Sequence, residues 1–223
     1  VLITPLLRNL FLAWVHIPMC FNKAKSFIIM CCILGGSSIL CALDRINIVT
    51  VNDDFASIAS SIGGELVHVK SLISGSRNLH NINPKPSMVM KVKNADMVIR
   101  LGMSQDSWMD GLIQVARNPK LFSNQPGYLD ASKDIEKLEV PTQNIDGSHG
   151  DVHKEGNPHY WLNPRNGIVI ANAVRNHLIA IDPTNKTTYD KNFSQFSKQL
   201  SEKINQWEKR MASVREKKFM SYH

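Results

Sequence analysis

The chain of 223 residues is long enough to bury one or two hydrophobic cores, and a composition of 43% hydrophobic and 20% charged residues excludes a disordered protein. The formal net charge is +7, but from Leu43 onward 23 scattered basic residues stand against 19 acidic ones, which excludes a nucleic-acid-binding stripe. The four cysteines, Cys20, Cys31, Cys32 and Cys41, all precede Leu43. The rest of the chain therefore has no disulfide framework and no thiolate zinc site.

The N-terminal residues 1–42 predict export from the cytoplasm. Residues 23–42 contain two lysines, then an apolar run, then small residues, which is the order of regions in a secretory signal. The alternative is a membrane anchor, although the apolar run is short and interrupted by Gly-Gly-Ser-Ser. Residues 1–20 are interpreted as an upstream extension of this signal. We therefore expect a protein that is periplasmic, or associated with the outer side of the cytoplasmic membrane.

From residue 46 onward, predicted strands and helices alternate. The predicted strands are Ile46–Val51, Leu66–Leu72 and Asp96–Leu101, and the predicted helices are Phe55–Ile62, Pro84–Asn94, Gln105–Arg117 and Arg165–Ile181. Residues 119–146 are predicted to be irregular. This alternation predicts an α/β fold with a parallel sheet and helices on both faces.

A long amphipathic helix is predicted after the Arg165–Ile181 helix. Apolar residues recur three and four positions apart from Thr187 to about Val214, which at 1.5 Å per residue gives a helix of roughly 42 Å. A helix of that length crosses a whole domain and is a candidate connection between two lobes. Residues 218–222 then predict a new strand, and we expect it to be the first of a second lobe that is incomplete in this sequence.

The candidate metal ligands are histidines in loops. His159 lies between Pro158 and Pro164 and beside two aromatic residues, so its imidazole is held on a stiff backbone, as a metal ligand requires. His80 follows the second predicted strand, and His223 ends the last one. Ligands of open α/β sheets bind at the carboxyl ends of strands, and three neutral imidazoles suit Zn²⁺.

Four segments resemble the zinc- and manganese-binding solute-binding proteins of ABC transporters, known as cluster 9 or cluster A-I. The segments, taken in chain order, are Ile62-Gly63-Gly64, His80 to Ser87, Asn94 to Ile99 with Gly102 and Trp108, and Asn157-Pro158-His159-Tyr160-Trp161-Leu162-Asn163-Pro164. The resemblance extends from about Ile46 to His223. It implies two α/β lobes joined by a rigid helix, with one metal ion between them.

The resemblance also implies a ligand set and a partner. His80 and His159 match the first two ligands, and His223 matches the third, while a carboxylate or water would come from a second lobe. The transported ligand is expected to be Zn²⁺, with Mn²⁺ as the alternative. His149, Asp151 and His153 lie where relatives have an auxiliary metal loop, although a polar surface turn is equally compatible with them. The expected partner is an ABC permease, and the protein itself is expected to be a monomer.

The implied layout divides the chain into four regions. These are an export signal with its extension at residues 1–42, a metal-binding lobe at 43–164, linking helices at 165–214, and the first strand of a second lobe at 215–223. Two other functions stay open at this stage. One is a zinc hydrolase, for which Glu155 is the only glutamate near His159, although HExxH and GxSxG motifs are absent from the sequence. The other is a nonfunctional remnant of the binding protein.

Overall fold

The structure is a computed structural model that describes residues 44–75, 79, 82–143 and 153–218. Every described residue lies in one compact unit of the chain, Leu43–His223. The predicted export signal at residues 1–42 and the predicted strand at 218–222, apart from Lys218, therefore lie outside the described residues.

Four parallel strands form the sheet of the described region. They are β1 (Ile46–Thr50), β2 (Val67–Ser71), β3 (Met97–Arg100) and β4 (Tyr128–Asp130), in the spatial order β2-β1-β3-β4. β1 pairs with β2 from Ile46 opposite Val67, and with β3 from Ile48 opposite Met97. Residues of β1 and β3 such as Ile48 and Val98 are almost completely buried, as expected for central strands covered on both faces.

Five α-helices accompany the sheet in the described region. They are α1 (Asp53–Gly63), α2 (Pro86–Lys93), α3 (Trp108–Ala116), α4 (Pro164–Ile181) and α5 (Lys186–Met211). α1, α4 and α5 pack on one another, and α2 packs on α3. The crossover from β1 to β2 through α1 and the crossover from β2 to β3 through α2 run in opposite directions across the sheet. Because such crossovers are right-handed, the two groups of helices lie on opposite faces of the sheet. The predicted α/β fold with helices on both faces is confirmed.

The sequence signals for α1 are confirmed at both ends. The side chain of Asn52 caps the N-terminus by accepting a hydrogen bond from Phe55 N at 3.0 Å. Gly64 follows the C-terminus with φ of 57°, a left-handed conformation that disfavours residues with a Cβ. The asparagine cap and the glycine end therefore fix the length of the helix.

The long helix predicted from Thr187 to about Val214 is confirmed as α5. It contains 26 residues, and one 3₁₀ turn, Ala212–Val214, extends it. At 1.5 Å per residue its length is about 39 Å. Tyr189 and Ile204 are buried against neighbouring helices, whereas Trp207 and Met211 near its C-terminal end are 44% and 55% exposed.

Two predictions about secondary structure are wrong in detail. Residues 119–146 were predicted to be irregular, yet Tyr128–Asp130 forms β4, which pairs with β3. The helix predicted from Gln105 begins only at Trp108, because residues 103–107 form a turn, which starts with positive φ angles of 49° at Met103 and 58° at Ser104.

Candidate metal-binding edge

The strand order determines where a ligand is expected to bind. β2 lies on one side of β1 and β3 lies on the other, so the chain reverses direction across the sheet between β1 and β3. In open α/β sheets, the crevice at the carboxyl ends of such strands is the usual ligand site. The loop after β2 begins at this edge, since Gly75 N donates a hydrogen bond to Asp53 Oδ2 in the first turn of α1 at 2.9 Å.

Tyr160 holds the His159 segment at the carboxyl end of β3. Its phenol donates a hydrogen bond of 2.6 Å to the carbonyl oxygen of Leu101, the residue after β3, and only 8% of the tyrosine is exposed. Asn166 in α4 donates to the carbonyl oxygen of Tyr160 at 2.9 Å. Burial raises the pKa of the Tyr160 phenol, so it stays a neutral donor. Tyr160 therefore anchors the loop in the core.

The backbone and ring of His159 are both constrained by close neighbours. Its amide donates a hydrogen bond to Asn157 Oδ1 at 3.0 Å across Pro158, which is buried. Its half-buried ring lies beside Trp161, with ring centroids 5.3 Å apart. Immediately afterwards, Asn163 caps α4 by accepting from Arg165 N at 3.0 Å. These contacts give the stiff backbone that the two flanking prolines predict.

An open depression of about 640 Å³ lies in front of this segment. His153 and His159 both line it, together with Glu136, Glu139 and Asn157. Glu139 accepts a hydrogen bond from Asn157 Nδ2 at 3.0 Å, so the 136–139 segment forms one wall. The structure therefore brings two of the candidate ligands, His153 and His159, to the same depression.

The bend after β3, residues 101–104, holds the groups to which the histidine segment is hydrogen-bonded. Gly102, Met103 and Ser104 all have positive φ angles, of 73°, 49° and 58°. The carboxylate of Asp106, which is completely buried, accepts hydrogen bonds from Leu101 N at 2.6 Å and from Gly102 N at 3.2 Å. A strained backbone of this kind persists only where its surroundings hold it.

Arg100, the last residue of β3, compensates the buried charge of Asp106. Its guanidinium donates to Asp106 Oδ1 at 3.0 Å and to Tyr128 Oη at 2.7 Å, and it forms a further ion pair with Asp110. Burial raises the pKa of Asp106, while the charge of Arg100 and the two amide hydrogen bonds oppose that rise. This network was not predicted. The one available signal was an arginine at the end of an apolar strand with an aspartate six residues later.

Glu155 forms a second connection between the histidine segment and the bend. Its carboxylate accepts a hydrogen bond from Ser104 Oγ at 2.7 Å and pairs with Lys137 at 3.3 Å. The hydrogen bond from Ser104 lowers the pKa of Glu155, and Lys137 adds to the effect. Glu155, the glutamate that the sequence offered as a general base for a hydrolase, is thus engaged in structural contacts, whereas Glu136 and Glu139 line the depression beside His159.

Several predicted site residues lie outside the described part of the chain. These are His80, His223, His149 and Asp151. Among the described residues, no group of three or more His, Cys, Asp or Glu side chains is arranged to hold a metal ion. Two other histidines are described away from the edge. His68 is exposed on β2, and His177 Nδ1 lies 2.7 Å from the carbonyl oxygen of Pro126.

The fold and the edge together define the class as an α/β protein with a histidine-bearing loop at the carboxyl ends of its strands. The sequence profile described as "ZnuA: Zinc-uptake complex component A periplasmic" matches residues 48–223. The chain belongs to this family.

Curated relatives carry names of the same type. The chain is 31% identical over 182 residues to the "Manganese ABC transporter substrate-binding lipoprotein PsaA" of Streptococcus pneumoniae, a match that covers 80% of the chain and 55% of the relative. It is 30% identical, with the same coverage, to the "Metal ABC transporter substrate-binding lipoprotein FimA" of Streptococcus parasanguinis. The chain therefore spans about half the length of these relatives. They are named as substrate-binding proteins, not enzymes, in agreement with the sequence prediction.

Solved structures support the fold. The Mn-bound periplasmic metal binding protein of Candidatus Liberibacter asiaticus superimposes with a TM-score of 0.62 at 19% identity, over 75% of this chain and 57% of that one. Zn(II)-bound AdcA of Streptococcus pneumoniae gives a TM-score of 0.56 at 25% identity, over 71% of this chain and 31% of that one. The similarity to the first protein is evidence for the fold alone.

Proposed function

We propose that this chain captures a divalent metal ion outside the cytoplasm and delivers it to an ABC-type permease in the membrane. Zn²⁺ is the first candidate ion and Mn²⁺ is the second. The observation that carries the proposal is the position of His159 at the carboxyl end of β3, in a loop that hydrogen bonds hold in place. The chain that presents this imidazole is a member of a zinc-uptake family.

The chemistry of the proposed site follows from its nitrogen ligands. A neutral imidazole suits Zn²⁺, and a mixed set of nitrogen and oxygen ligands also accommodates Mn²⁺. We assign His80 and His223 as the other two histidine ligands, with a carboxylate or water in the fourth position. His149, Asp151 and His153 are the residues of a proposed auxiliary loop, of which His153 lines the same depression as His159.

The proposed layout follows from the transport role. Residues 1–42 direct export, residues 43–164 form the metal-binding lobe, residues 165–214 link the lobes, and residues 215–223 begin a second lobe. The names of the relatives, which are lipoproteins of ABC transporters, support a location outside the cytoplasm and a permease partner. The described residues, all beyond position 43, include no helix with the length and apolar character of a membrane span.

The first experiment is a zinc titration of the full chain by calorimetry, beside His159→Ala and His80→Ala/His159→Ala. We expect the parent to bind zinc, His159→Ala to bind at least tenfold more weakly, because a first ligand is lost, and the double variant to bind still more weakly. His68→Ala is the matched control, because His68 is exposed on β2. Equal zinc affinity in the parent and in His159→Ala would refute the proposal.

A competition titration separates the two candidate ions. Zinc-loaded protein is titrated with Mn²⁺, and displacement is followed by released zinc. Imidazole-rich sites bind zinc more tightly than manganese, so we expect little displacement at equal concentrations. Complete displacement would assign the site to manganese.

A further inference from the structure

The contacts that hold the His159 segment converge on one strand end. Tyr160 donates its hydroxyl hydrogen to the carbonyl of Leu101 at 2.6 Å, and Glu155 accepts from Ser104 at 2.7 Å. Leu101 and Ser104 belong to the bend after β3, whereas Glu155 and Tyr160 lie on either side of His159 along the chain. The segment is therefore attached to the bend both before and after the histidine.

The bend itself has little freedom to move. Asp106 accepts hydrogen bonds from the amides of Leu101 and Gly102, and Arg100 pairs with the same carboxylate. Leu101 is completely buried, and the amide of Asn166 fixes the Tyr160 carbonyl from the other side at 2.9 Å. The acceptor of the tyrosine hydroxyl is thus a carbonyl group in the rigid core of the protein.

We infer that Tyr160 is a positioning residue for metal binding: its hydroxyl fixes the height of the adjacent His159 imidazole above the carboxyl end of β3. The inference rests on the proposed function, in which His159 is a ligand. A ligand ring must be held to within about 0.5 Å of its productive position. One hydrogen bond made by the next residue, to a buried carbonyl, supplies that constraint directly.

Simple packing is the competing explanation of Tyr160, and it makes a different prediction. A tyrosine that only fills the core loses stability when its hydroxyl is removed but leaves the metal affinity unchanged. If the tyrosine positions the ligand, removing its hydroxyl lowers both the stability and the metal affinity. Tyr189 offers a matched comparison, because it is also buried and its hydroxyl donates to Asp182 Oδ2 at 2.9 Å, between α4 and α5.

The test compares the parent chain, Tyr160→Phe, Tyr189→Phe and His159→Ala, each as the full chain. Zinc affinity is measured by calorimetry, ligand geometry by the visible spectrum of the Co²⁺-loaded protein, and folding by thermal denaturation. We expect both tyrosine variants to melt at a lower temperature than the parent. Only Tyr160→Phe is expected to weaken zinc binding about tenfold or more and to change the cobalt spectrum, as the loss of an outer contact to a ligand does.

The outcomes separate this inference from the function on which it rests. If the parent binds zinc, His159→Ala loses binding and Tyr160→Phe keeps the parent affinity within twofold, the positioning role is refuted and the proposed function stands. If Tyr189→Phe weakens binding as much as Tyr160→Phe, general destabilisation explains both and the inference is also refuted. If the parent binds neither Zn²⁺ nor Mn²⁺, or if His159→Ala binds metal as tightly as the parent does, both the inference and the proposed function fail.

Discussion

Replacing Gly102 by alanine is the sharpest test of how the bend after β3 is built. Gly102 has a φ of 73°, and a Cβ at this position would overlap Asp130 Oδ1 and Ser132 Oγ. The left-handed backbone alone costs a residue with a Cβ about 1–2 kcal/mol. Moving Asp130 also breaks its hydrogen bonds to Ser132 N and Oγ, at 3.0 and 2.7 Å, each contributing about 1 kcal/mol. We expect Gly102→Ala to lower the free energy of unfolding by about 3 kcal/mol.

Two other glycines separate the cost of the left-handed backbone from the cost of the overlap with Asp130 and Ser132. Gly75 has nearly the same φ of 74°, but no atom of the described residues lies within 4 Å of a Cβ built there, so Gly75→Ala isolates the backbone cost of about 1–2 kcal/mol. Gly111 is exposed inside α3, and a Cβ there would contact nothing in the described part of the chain, so Gly111→Ala is expected to stabilise by about 0.8–1 kcal/mol. The expected order of stability is therefore Gly111→Ala, parent, Gly75→Ala, Gly102→Ala.

Urea denaturation monitored by circular dichroism measures the four free energies on one scale. If Gly102→Ala costs no more than Gly75→Ala, Asp130 and Ser132 move aside freely, and the close approach at the end of β3 does not constrain the bend. If Gly111→Ala is also destabilising, local backbone and Cβ geometry do not determine the stability of these three variants.

Two further predictions concern charged groups. Arg100→Met leaves the carboxylate of Asp106 buried without its partner, so we expect the free energy of unfolding, measured by urea denaturation, to fall by about 3–5 kcal/mol. Arg45→Met is the control, because Arg45 forms an exposed ion pair whose loss is expected to have little effect. Equal losses in the two variants would contradict this prediction. Burial raises the pKa of Asp96, but hydrogen bonds and the charge of Lys120 outweigh it and lower the pKa overall. The stability that Asp96 contributes is therefore complete above its unfolded pKa of about 3.9 and disappears as the pH falls through the lower folded value. The melting temperatures of the parent and Asp96→Asn are thus expected to converge only below about pH 4, and a constant difference down to pH 2 would contradict this.

Most of the fold was predictable because its elements carry local signals. β1 and β3 are largely apolar segments, β2 alternates apolar and polar residues, and the amphipathic spacing of α5 extends over its whole length. β4 had no such signal, since three residues show no periodicity and the strand exists only because β3 offers an open edge to Tyr128–Asp130. The start of α3 was misplaced for a similar reason: Asp106 accepts backbone amides from the bend and delays the helix until Trp108.

The site was predictable only in part. Prolines on both sides of His159 indicated a stiff backbone, and the hydrogen bond from its amide to Asn157 agrees with that expectation. The hydrogen bond from Tyr160 to Leu101 joins residues 59 positions apart, so no local pattern announces it. The same holds for the contact between Ser104 and Glu155, 51 positions apart. Long-range contacts of this kind depend on the tertiary structure.

The side chains that hold the loops at the carboxyl end of β3 bond to main-chain groups, so the residues on the two sides of each hydrogen bond differ in their sensitivity to mutation. Tyr160 and Asn166 reach main-chain carbonyls, and Asp106 receives main-chain amides. Every amino acid brings a carbonyl to position 101, so exchanging Leu101 for another apolar residue keeps the acceptor of the tyrosine hydroxyl. Random mutagenesis scored by zinc affinity is therefore expected to find few tolerated replacements at Tyr160, Asn166 and Asp106, and many more at Leu101, whose carbonyl and amide Tyr160 and Asp106 hold.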